Sequence, residues 1–388
     1  MLQTIKRNLL KPGMFVVSYG LGTFHSPLVR VSKHIHSTAE IDACVPQGVD
    51  GVLIDTCNAL VLQPDEAVPL GQSVTVSLDE ELSIAKALYS EALAYVKDFV
   101  DDVRRGTDID YRRATPLVES FIESVFRNET AAVTLFKLRG FDEYTYTHSI
   151  NVSILAVLLG KHLGLDKPEL LTLGLAGLYH DVGKALLPAS ILNKPGALTE
   201  SEFEAVKSHP HSGHRLLRKQ PGIEPEVLRA VLEHHERHDG SGYPRGLTGD
   251  SIAPFSRIVA VVDVYDALTS KRVYKGAMIP AKALGMMFQW RGKQFAEEDI
   301  DRFIRCLGVF PVGSFVRLSG GEFGIVASAN AQRPTKPEIK VVMDAHMRPQ
   351  LPRTIDLLAV EGTDAAQDVA EVLSPAEYKI DLERFFSV

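Results

Sequence analysis

Seven residues in the middle of the chain are of the types that hold divalent metal ions. His180 and Asp181 stand side by side after an apolar run, and Val182-Gly183-Lys184 follows them. A buried isolated charge is costly, so such a carboxylate is normally paired or coordinates a metal. Imidazole and carboxylate suit first-row metals such as iron, manganese and zinc. The series consists of His148, His180, Asp181, His209, His234, His235 and Asp263.

The sequence places these residues on five segments with helical periodicity. Facing helices of a bundle are a usual place for di-metal sites. A single one of these histidines would more often have a structural or surface role. Seven suitable residues on separate helices favour a metal site instead. The predicted helices are Asp142–Leu163, Lys167–Asp181, Thr199–Arg218, Glu224–Arg237 and Pro254–Lys271.

Composition is that of an ordinary globular protein of two or three domains. The chain has 388 residues, of which 45% are hydrophobic and 23% charged. A net charge of −7 disfavours a general surface for a nucleic-acid polymer or an anionic membrane, although a local basic pocket stays possible.

Cysteine usage and the apolar segments predict a cytoplasmic protein. Cys44, Cys57 and Cys306 are far apart and form no CxxC pair, as expected of reduced thiols. Pro12 and Gly13 interrupt the apolar core that a signal peptide needs, and Ile154–Gly160 is too short to span a bilayer.

The texture of the sequence divides the chain into four regions. Residues 1–76 are predicted to be a β-rich N-terminal regulatory domain, with strands at Met14–Ser18, Leu28–Ser32 and Val52–Asp55. Residues 77–128 form a helical connector or the first helices of the next domain. Residues 129–308 form a helical catalytic domain. Residues 309–388 form a small β appendage and an acidic tail.

Local signals support the connector and the appendage. Ser77 and Glu80 fit a capping box at a helix start, and Asp110–Asn128 reads as a second helix. A further helix is predicted at Glu297–Leu307. Beyond Pro311, strands are predicted at Ser314–Leu318, Gly324–Ala327 and Ile339–Met343, followed by an acidic helical tail from about Asp364.

The motifs HSxNV, HDVGK, HP, HHERHDGSGYP and DVYDALTSKRVYK occur in this order between about Arg139 and Lys275. Together they closely resemble the HD-GYP branch of the HD phosphohydrolase superfamily, whose members are bacterial phosphodiesterases for the second messenger cyclic di-GMP. The resemblance implies a mainly α fold, an HD-type helical bundle carrying a di-metal site. The flanking β regions resemble, more weakly, those of one HD-GYP group.

The resemblance also implies roles for the seven residues. His148, His180, Asp181 and Asp263 would bind one metal, and Asp181 would bridge to a second held by His209, His234 and His235. Two divalent ions, iron or manganese, are therefore expected. A carboxylate can hold two cations about 3.5–4 Å apart, and a hydroxide that bridges them can attack phosphorus in line.

One departure from the family pattern concerns the number of metals. Some members carry a glutamate four residues before the first histidine, which helps to hold a third metal. Here that position is Tyr144. Glu143 lies five residues before His148 and would point about 140° away on a helix, against about 40° for the family position. Two metals are therefore predicted.

The family places further residues at the substrate. Lys184 would be catalytic and would bind the attacked phosphate, although it could also be a solvated lysine at a helix end. Arg272 and Lys275 would grip the substrate phosphates, or else form a basic helix end. Asp266 would be a partner behind the ligands. The loop Gly242, Tyr243 and Pro244 would line the cleft, face a signalling partner, or be a structural turn.

The function that the resemblance implies is metal-dependent hydrolysis of cyclic di-GMP to pGpG and, as a further product, GMP. Two main alternatives stay open: a module that binds cyclic di-GMP with little turnover, and a phosphohydrolase for another, hybrid cyclic dinucleotide. An oxygenase with a di-iron centre is a fold-level analogy only. A homodimer through the helices before His148 is a further hypothesis, based on their amphipathic pattern.

Overall fold

The computed structural model describes residues 76–380 except 77, 108, 132–143, 193, 195, 271–275, 331–332, 376 and 379. Within residues 1–55 it describes 2–5, 7, 10, 15–20, 28–34, 41, 44–46, 49 and 52–55. The side chains of residues 2–5, 15, 17–20, 28–34, 53–55, 78, 79, 144 and 145 are not among those described. The chain divides into two compact units, Met1–Ser73 and Val74–Val388.

The first unit contains an antiparallel sheet of β1 (Leu2–Ile5), β2 (Phe15–Gly20), β3 (Leu28–His34) and β4 (Val52–Asp55) in the order β1-β4-β2-β3. Val16 and Val52 are fully buried in its small core. The three predicted strands agree with β2, β3 and β4, each of which contains two β-branched residues, the type that favours strands. The sequence analysis missed β1.

The second unit begins with two helices, α1 (Leu78–Arg105) and α2 (Ala114–Arg127), joined by a 3₁₀ turn at Tyr111–Arg113. The helices that follow are α3 (Tyr144–His162), α4 (Lys167–Tyr179), α5 (Ala189–Leu192), α6 (Glu200–Lys207), α7 (His209–Leu217), α8 (Pro225–Glu233), α9 (Pro254–Thr269), α10 (Pro280–Gln289) and α11 (Glu297–Leu307).

Helices α3 and α4 form the centre of this unit and approach each other closely. Residues 148–160 of α3 and 173–179 of α4 are buried on every face. A Cβ atom at Gly177 would lie 2.9 Å from the Cα of Ser153, so only glycine allows this approach. Ser153 Oγ donates a hydrogen bond of 2.7 Å to the carbonyl oxygen of Gly174. This contact fixes α3 relative to α4.

Helices α1 and α2 belong to the same hydrophobic core as α3 and α4. Tyr89 and Phe99 of α1 and Phe121 of α2 are buried in one cluster with Ile150 of α3 and Leu173 of α4. This packing favours the reading of residues 77–128 as the first helices of the catalytic domain rather than as a separate connector. The predicted boundaries themselves stay predictions.

The C-terminal strands form an antiparallel sheet. They are β5 (Phe315–Leu318), β6 (Phe323–Ser328), β7 (Glu338–Met343), β8 (Pro349–Asp356) and β9 (Val369–Leu373), in the order β8-β7-β6-β5-β9. The predicted helical tail from Asp364 is wrong in this part, because Leu373 pairs with Phe315 and is buried. Long-range strand pairing overrides the acidic local composition.

Two helix predictions need correction. Thr199–Arg218 is two helices that meet at Ser208, because Pro210 lacks an N–H and cannot continue a helix. The helix predicted to end at Arg237 ends at Glu233, and α10 was missed. None of the described helices combines the length and apolar composition needed to cross a bilayer.

Candidate metal centre

The end of α4 places His180 and Asp181 against the start of α7. His180 caps α4, and Asp181 precedes a 3₁₀ turn at Val182–Leu186. Within this turn, a Cβ atom at Gly183 would lie 2.0 Å from the carbonyl oxygen of His209. The glycine of HDVGK therefore lets the backbone of α7 come close enough for His209 to reach Asp181.

Three histidines have their ring tautomer set in the same way. Each uses Nδ1 to donate to the carbonyl oxygen three residues earlier, so Nε2 carries the lone pair. The bonds are His180 to Gly177 at 2.7 Å, His209 to Val206 at 2.7 Å, and His234 to Val231 at 2.9 Å.

These lone pairs point at one another and at Asp181. The Nε2 atoms of His209 and His234 are 3.2 Å apart and lie 3.1 and 3.6 Å from Asp181 Oδ1. Burial lowers the pKa of His234 to about 4, so its ring is neutral near neutral pH. Asp181 Oδ1 and His180 Nε2 are buried without a hydrogen-bond partner among the described residues. Cations bound by Asp181 Oδ1 with the Nε2 atoms of His209 and His234, and by His180 Nε2 in the other set, would satisfy these buried atoms, so the residues present fit a metal.

The second half of the centre lies on the other oxygen of Asp181. His180 Nε2 is 3.3 Å and His148 Nε2 is 3.7 Å from Asp181 Oδ2. The same two nitrogens lie 3.9 and 3.0 Å from Asp263 Oδ1. Asp181 thus presents one oxygen to each group of histidines.

Positively charged neighbours keep the two buried carboxylates of the centre ionised. Burial alone would raise the pKa of Asp181, but nearby Lys184 and His180 outweigh burial and hold this pKa well below its usual range. Asp263 is also buried, and His148 lowers its pKa. Burial lowers the pKa of His148, but Asp263 and Asp266 outweigh burial and raise this pKa to about 9. Two ionised carboxylates therefore share a closed site.

All seven predicted residues converge. They form two sets in which the candidate ligand atoms lie within 4.8 Å of one another. His235 is the most exposed of them, with 22% of its side chain accessible, and its Nδ1 is 3.9 Å from Asp263 Oδ2. The sets are Asp181, His209, His234 and His235, and His148, His180 and Asp263.

Lys184 lies at the edge of the centre. Its Nζ is 2.5 Å from Asp181 Oδ2, and 26% of its side chain is exposed. This position is in contact with both the buried carboxylate and the solvent. Arg272, Lys275 and Glu143 lie outside the described residues, and of Tyr144 only the backbone is described, as the first residue of α3.

The Gly242-Tyr243-Pro244 loop folds back on His235. Tyr243 N donates to the carbonyl oxygen of His235 at 3.1 Å, and the Tyr243 ring lies 4.8 Å from the His235 ring. A Cβ atom at Gly242 would lie 2.3 Å from Arg237 N, so the glycine has a structural reason. The loop therefore positions one of the candidate ligands, whatever else it contacts.

Sequence reasoning missed two groups of residues that support the site. Glu233 is buried at the end of α8 and accepts from Ala253 N at 2.9 Å and Ser256 Oγ at 3.0 Å, which anchors the helix just before His234. The second is Asn151, whose Nδ2 donates at 2.8 Å to Oδ1 of Asp266, the residue predicted as a partner behind the ligands; Asp266 Oδ2 accepts from His148 Nδ1 at 2.7 Å. The asparagine of HSxNV was the available signal.

Three family models match the chain. An HD domain matches residues 127–298, a domain of unknown function (DUF3391) matches residues 2–114, and a KOW domain associated with HD domain matches residues 315–380. The HD match contains all seven candidate ligands.

Curated proteins and a solved structure resemble the chain. The cyclic di-GMP phosphodiesterase PA4108 of Pseudomonas aeruginosa is 37% identical over 377 residues, which is 94% of this chain and 91% of that protein. The 3'3'-cGAMP-specific phosphodiesterase 1 of Vibrio cholerae is 42% identical over 145 residues, 37% of this chain and 33% of that protein.

Among solved structures, the chain resembles Bd1817, a HDG"Y"P protein from Bdellovibrio bacteriovorus. The TM-score is 0.50 at 15% identity, and the match covers 78% of this chain and 98% of that chain. This likeness supports the fold, while the Pseudomonas protein is similar over nearly its whole length. With the HD domain match and the complete motif series, the chain belongs to the HD-GYP branch of the HD phosphohydrolase superfamily.

Proposed function

We propose that this chain is a metal-dependent phosphodiesterase that hydrolyses cyclic di-GMP to pGpG and, as a further product, GMP. The observation that carries the proposal is the complete set of seven converging ligands, with Asp181 shared between its two halves. The relative from Pseudomonas aeruginosa, similar over 94% of this chain, is named a cyclic di-GMP phosphodiesterase.

The residues of the site divide the work. His180, His209 and His234 offer unprotonated Nε2 atoms, and Asp181 offers one oxygen to each half of the site. Divalent ions held there would neutralise phosphate charge and generate a nucleophile from water. Lys184 carries a partly exposed ammonium group beside Asp181 Oδ2, so we assign it to binding the attacked phosphate.

We assign the site to two ions, iron or manganese. A mixture of imidazole and carboxylate ligands suits both metals. The absence of a glutamate at position 144 supports two ions rather than three. We assign Arg272 and Lys275 to the remaining substrate phosphates, because the family motif places them there. A signalling partner at the Gly242-Tyr243-Pro244 loop, a homodimer and a cytoplasmic location stay predictions.

The test is product analysis by chromatography on protein loaded with Mn²⁺ or Fe²⁺, with cyclic di-GMP and 3'3'-cGAMP in parallel reactions. We expect pGpG to appear first from cyclic di-GMP. Faster turnover of 3'3'-cGAMP would favour the hybrid-substrate alternative, which the Vibrio cholerae relative raises. Tight binding of cyclic di-GMP without product would favour the signalling module.

A matched pair of variants separates site chemistry from folding. His209→Ala removes a buried candidate ligand, and His211→Ala makes the same change at an exposed position of the same helix. We expect the first to abolish hydrolysis and the second to retain it. Full hydrolysis by His209→Ala protein would contradict the proposed site.

A further inference from the structure

A buried hydrogen-bond chain connects α1 with the metal-facing histidine of α3. Tyr89 Oη lies 2.9 Å from Asn151 Oδ1, Asn151 Nδ2 lies 2.8 Å from Asp266 Oδ1, and Asp266 Oδ2 lies 2.7 Å from His148 Nδ1. The four residues are 0%, 4%, 2% and 4% exposed, in that order. Tyr89 precedes every motif residue in the sequence.

The direction of each bond in this chain is determined chemically. An ionised carboxylate only accepts, so Asn151 must turn its amide nitrogen towards Asp266. Its carbonyl oxygen then faces Tyr89, whose hydroxyl must donate. The hydroxyl also lies 3.5 Å from the carbonyl oxygen of Thr147, a longer and weaker alternative.

Asp266 is thereby held by two donors from α3 and by one from the residue that follows α9. Ser270 Oγ, at the end of α9, lies 3.1 Å from the same Oδ1 that accepts from Asn151. With Oδ1 occupied, Oδ2 is left to accept from His148 Nδ1. This bond turns His148 so that its Nε2 faces Asp263 and Asp181. Partners of this kind orient metal-ligating histidines and raise their basicity.

We propose that Tyr89 and Asn151 are positioning residues for the half of the metal site that contains His148. They act through Asp266, whose orientation they fix, and neither touches a metal or the substrate. The inference rests on the proposed function in that it assumes a metal bound by His148. Its consequence is that α1, which the sequence left open as a connector or as a first helix of the next domain, supplies a positioning residue for the metal site.

The test uses Tyr89→Phe in the full chain, because this change removes one hydroxyl and adds no atoms. Mn²⁺ binding is followed by electron paramagnetic resonance of the unbound ion, after a chelator has removed bound metal. We expect one of two Mn²⁺ ions to bind about 10-fold more weakly, a typical effect for such partners. The ion held by His209, His234 and His235 should keep its affinity.

The matched control is Tyr95→Phe. Tyr95 is also buried on α1, but its hydroxyl pairs with Tyr179 Oη and lies 3.3 Å from the carbonyl oxygen of Asp110. The same atom is removed from the same helix, outside the chain to His148. Both Mn²⁺ affinities should stay at the wild-type values.

A second variant makes the serial nature of the chain testable. Asn151→Leu keeps the volume and interrupts the chain next to Asp266, so its effect on the weaker ion should equal or exceed that of Tyr89→Phe. The double variant should bind Mn²⁺ no more weakly than Asn151→Leu alone, because both changes act through the same hydrogen-bond chain and their effects do not add.

Two results would overturn the proposal. One is unchanged affinity for both ions in Tyr89→Phe and Asn151→Leu. The other is an equal loss for both ions together with a lower melting temperature, which would indicate a structural role only. Because Mn²⁺ binding is measured without a nucleotide, failure of the proposed phosphodiesterase activity would not affect this outcome. At saturating Mn²⁺, Tyr89→Phe should regain kcat with an unchanged KM.

Discussion

Gly183 offers the most direct test of how the fold builds the site. Gly183 lies in the turn after Asp181. A Cβ atom added there would lie 2.0 Å from His209 O and 2.6 Å from Gly213 N. Both are backbone atoms of α7, so no side-chain rotation relieves the clash. In Gly183→Ala, α7 must retreat by about 1 Å to restore a tolerable contact, and overpacking of this kind costs about 1–3 kcal/mol of unfolding free energy.

The effect on the metal should be larger than the effect on stability. His209 begins α7 and is one of the candidate ligands of Asp181 Oδ1. Metal–ligand distances tolerate deviations of about 0.2 Å, so a displacement of about 1 Å removes His209 from coordination. We therefore expect Gly183→Ala to retain one strongly bound Mn²⁺ and to lose hydrolysis of cyclic di-GMP.

The assays are metal counting by mass spectrometry, thermal unfolding and product analysis. Gly285→Ala is the control, because nothing lies within 4 Å of its Cβ position on the exposed face of α10. That change should leave activity intact and stabilise α10 by up to about 1 kcal/mol. Two tightly bound ions and full activity in Gly183→Ala would refute the reasoning.

Three further outcomes follow from contacts in the second unit. Lys184→Met should lower kcat about 100-fold, the typical loss when a charge-stabilising donor is removed, while both ions stay bound. His162→Gln should destabilise the fold most between pH about 4.5 and 6.5. In that window Glu129, whose pKa is lowered to about 2, is ionised in both states, and His162, whose pKa is raised to about 10, is protonated in both. Glu81→Gln should lower the unfolding free energy by about 3 kcal/mol, because the fully buried Glu81 accepts from Arg127 at 2.6 and 2.9 Å.

Each of these has its own check. For Lys184, Lys184→Arg should recover part of the rate, and loss of metal in Lys184→Met would reassign the lysine to structure. Burial lowers the pKa of His162, but Cys306 and Glu129 outweigh burial and raise this pKa to about 10. The stability that comes from a raised pKa is lost as pH rises towards 10. Melting curves that differ equally at pH 5.5 and pH 10 would contradict it. For Glu81→Gln, urea unfolding measures the loss of unfolding free energy, and we expect the metal content to stay unchanged.

The sequence predicted the ligand set because its motifs combine residue type with order. Each of the seven residues is of a metal-binding type, and the structure brings all of them together. Helices α3 and α4 were also predictable, because long apolar segments bounded by caps such as Asp166 and Glu169 have few alternatives.

Other features depend on contacts that local patterns do not contain. β9 forms because Leu373 pairs with Phe315, 58 residues earlier, against an acidic local composition. The chain from Tyr89 to His148 joins residues on three helices, and the sequence around Tyr89 gives no sign of it. For the same reason, the sequence left open whether residues 77–128 are a connector or the first helices of the next domain. Long-range packing decides such features, and periodicity reports only which face is apolar.

We propose that Asp181 joins two metal ions and that both ions are needed for hydrolysis. The most direct measurement is activity on cyclic di-GMP as Mn²⁺ is added stepwise to metal-free protein, with bound ions counted at each step. We expect little product below one ion per chain, full activity at two ions per chain, and neither metal binding nor hydrolysis in Asp181→Ala. Full activity at one ion per chain, or an active, metal-loaded Asp181→Ala variant, would contradict it.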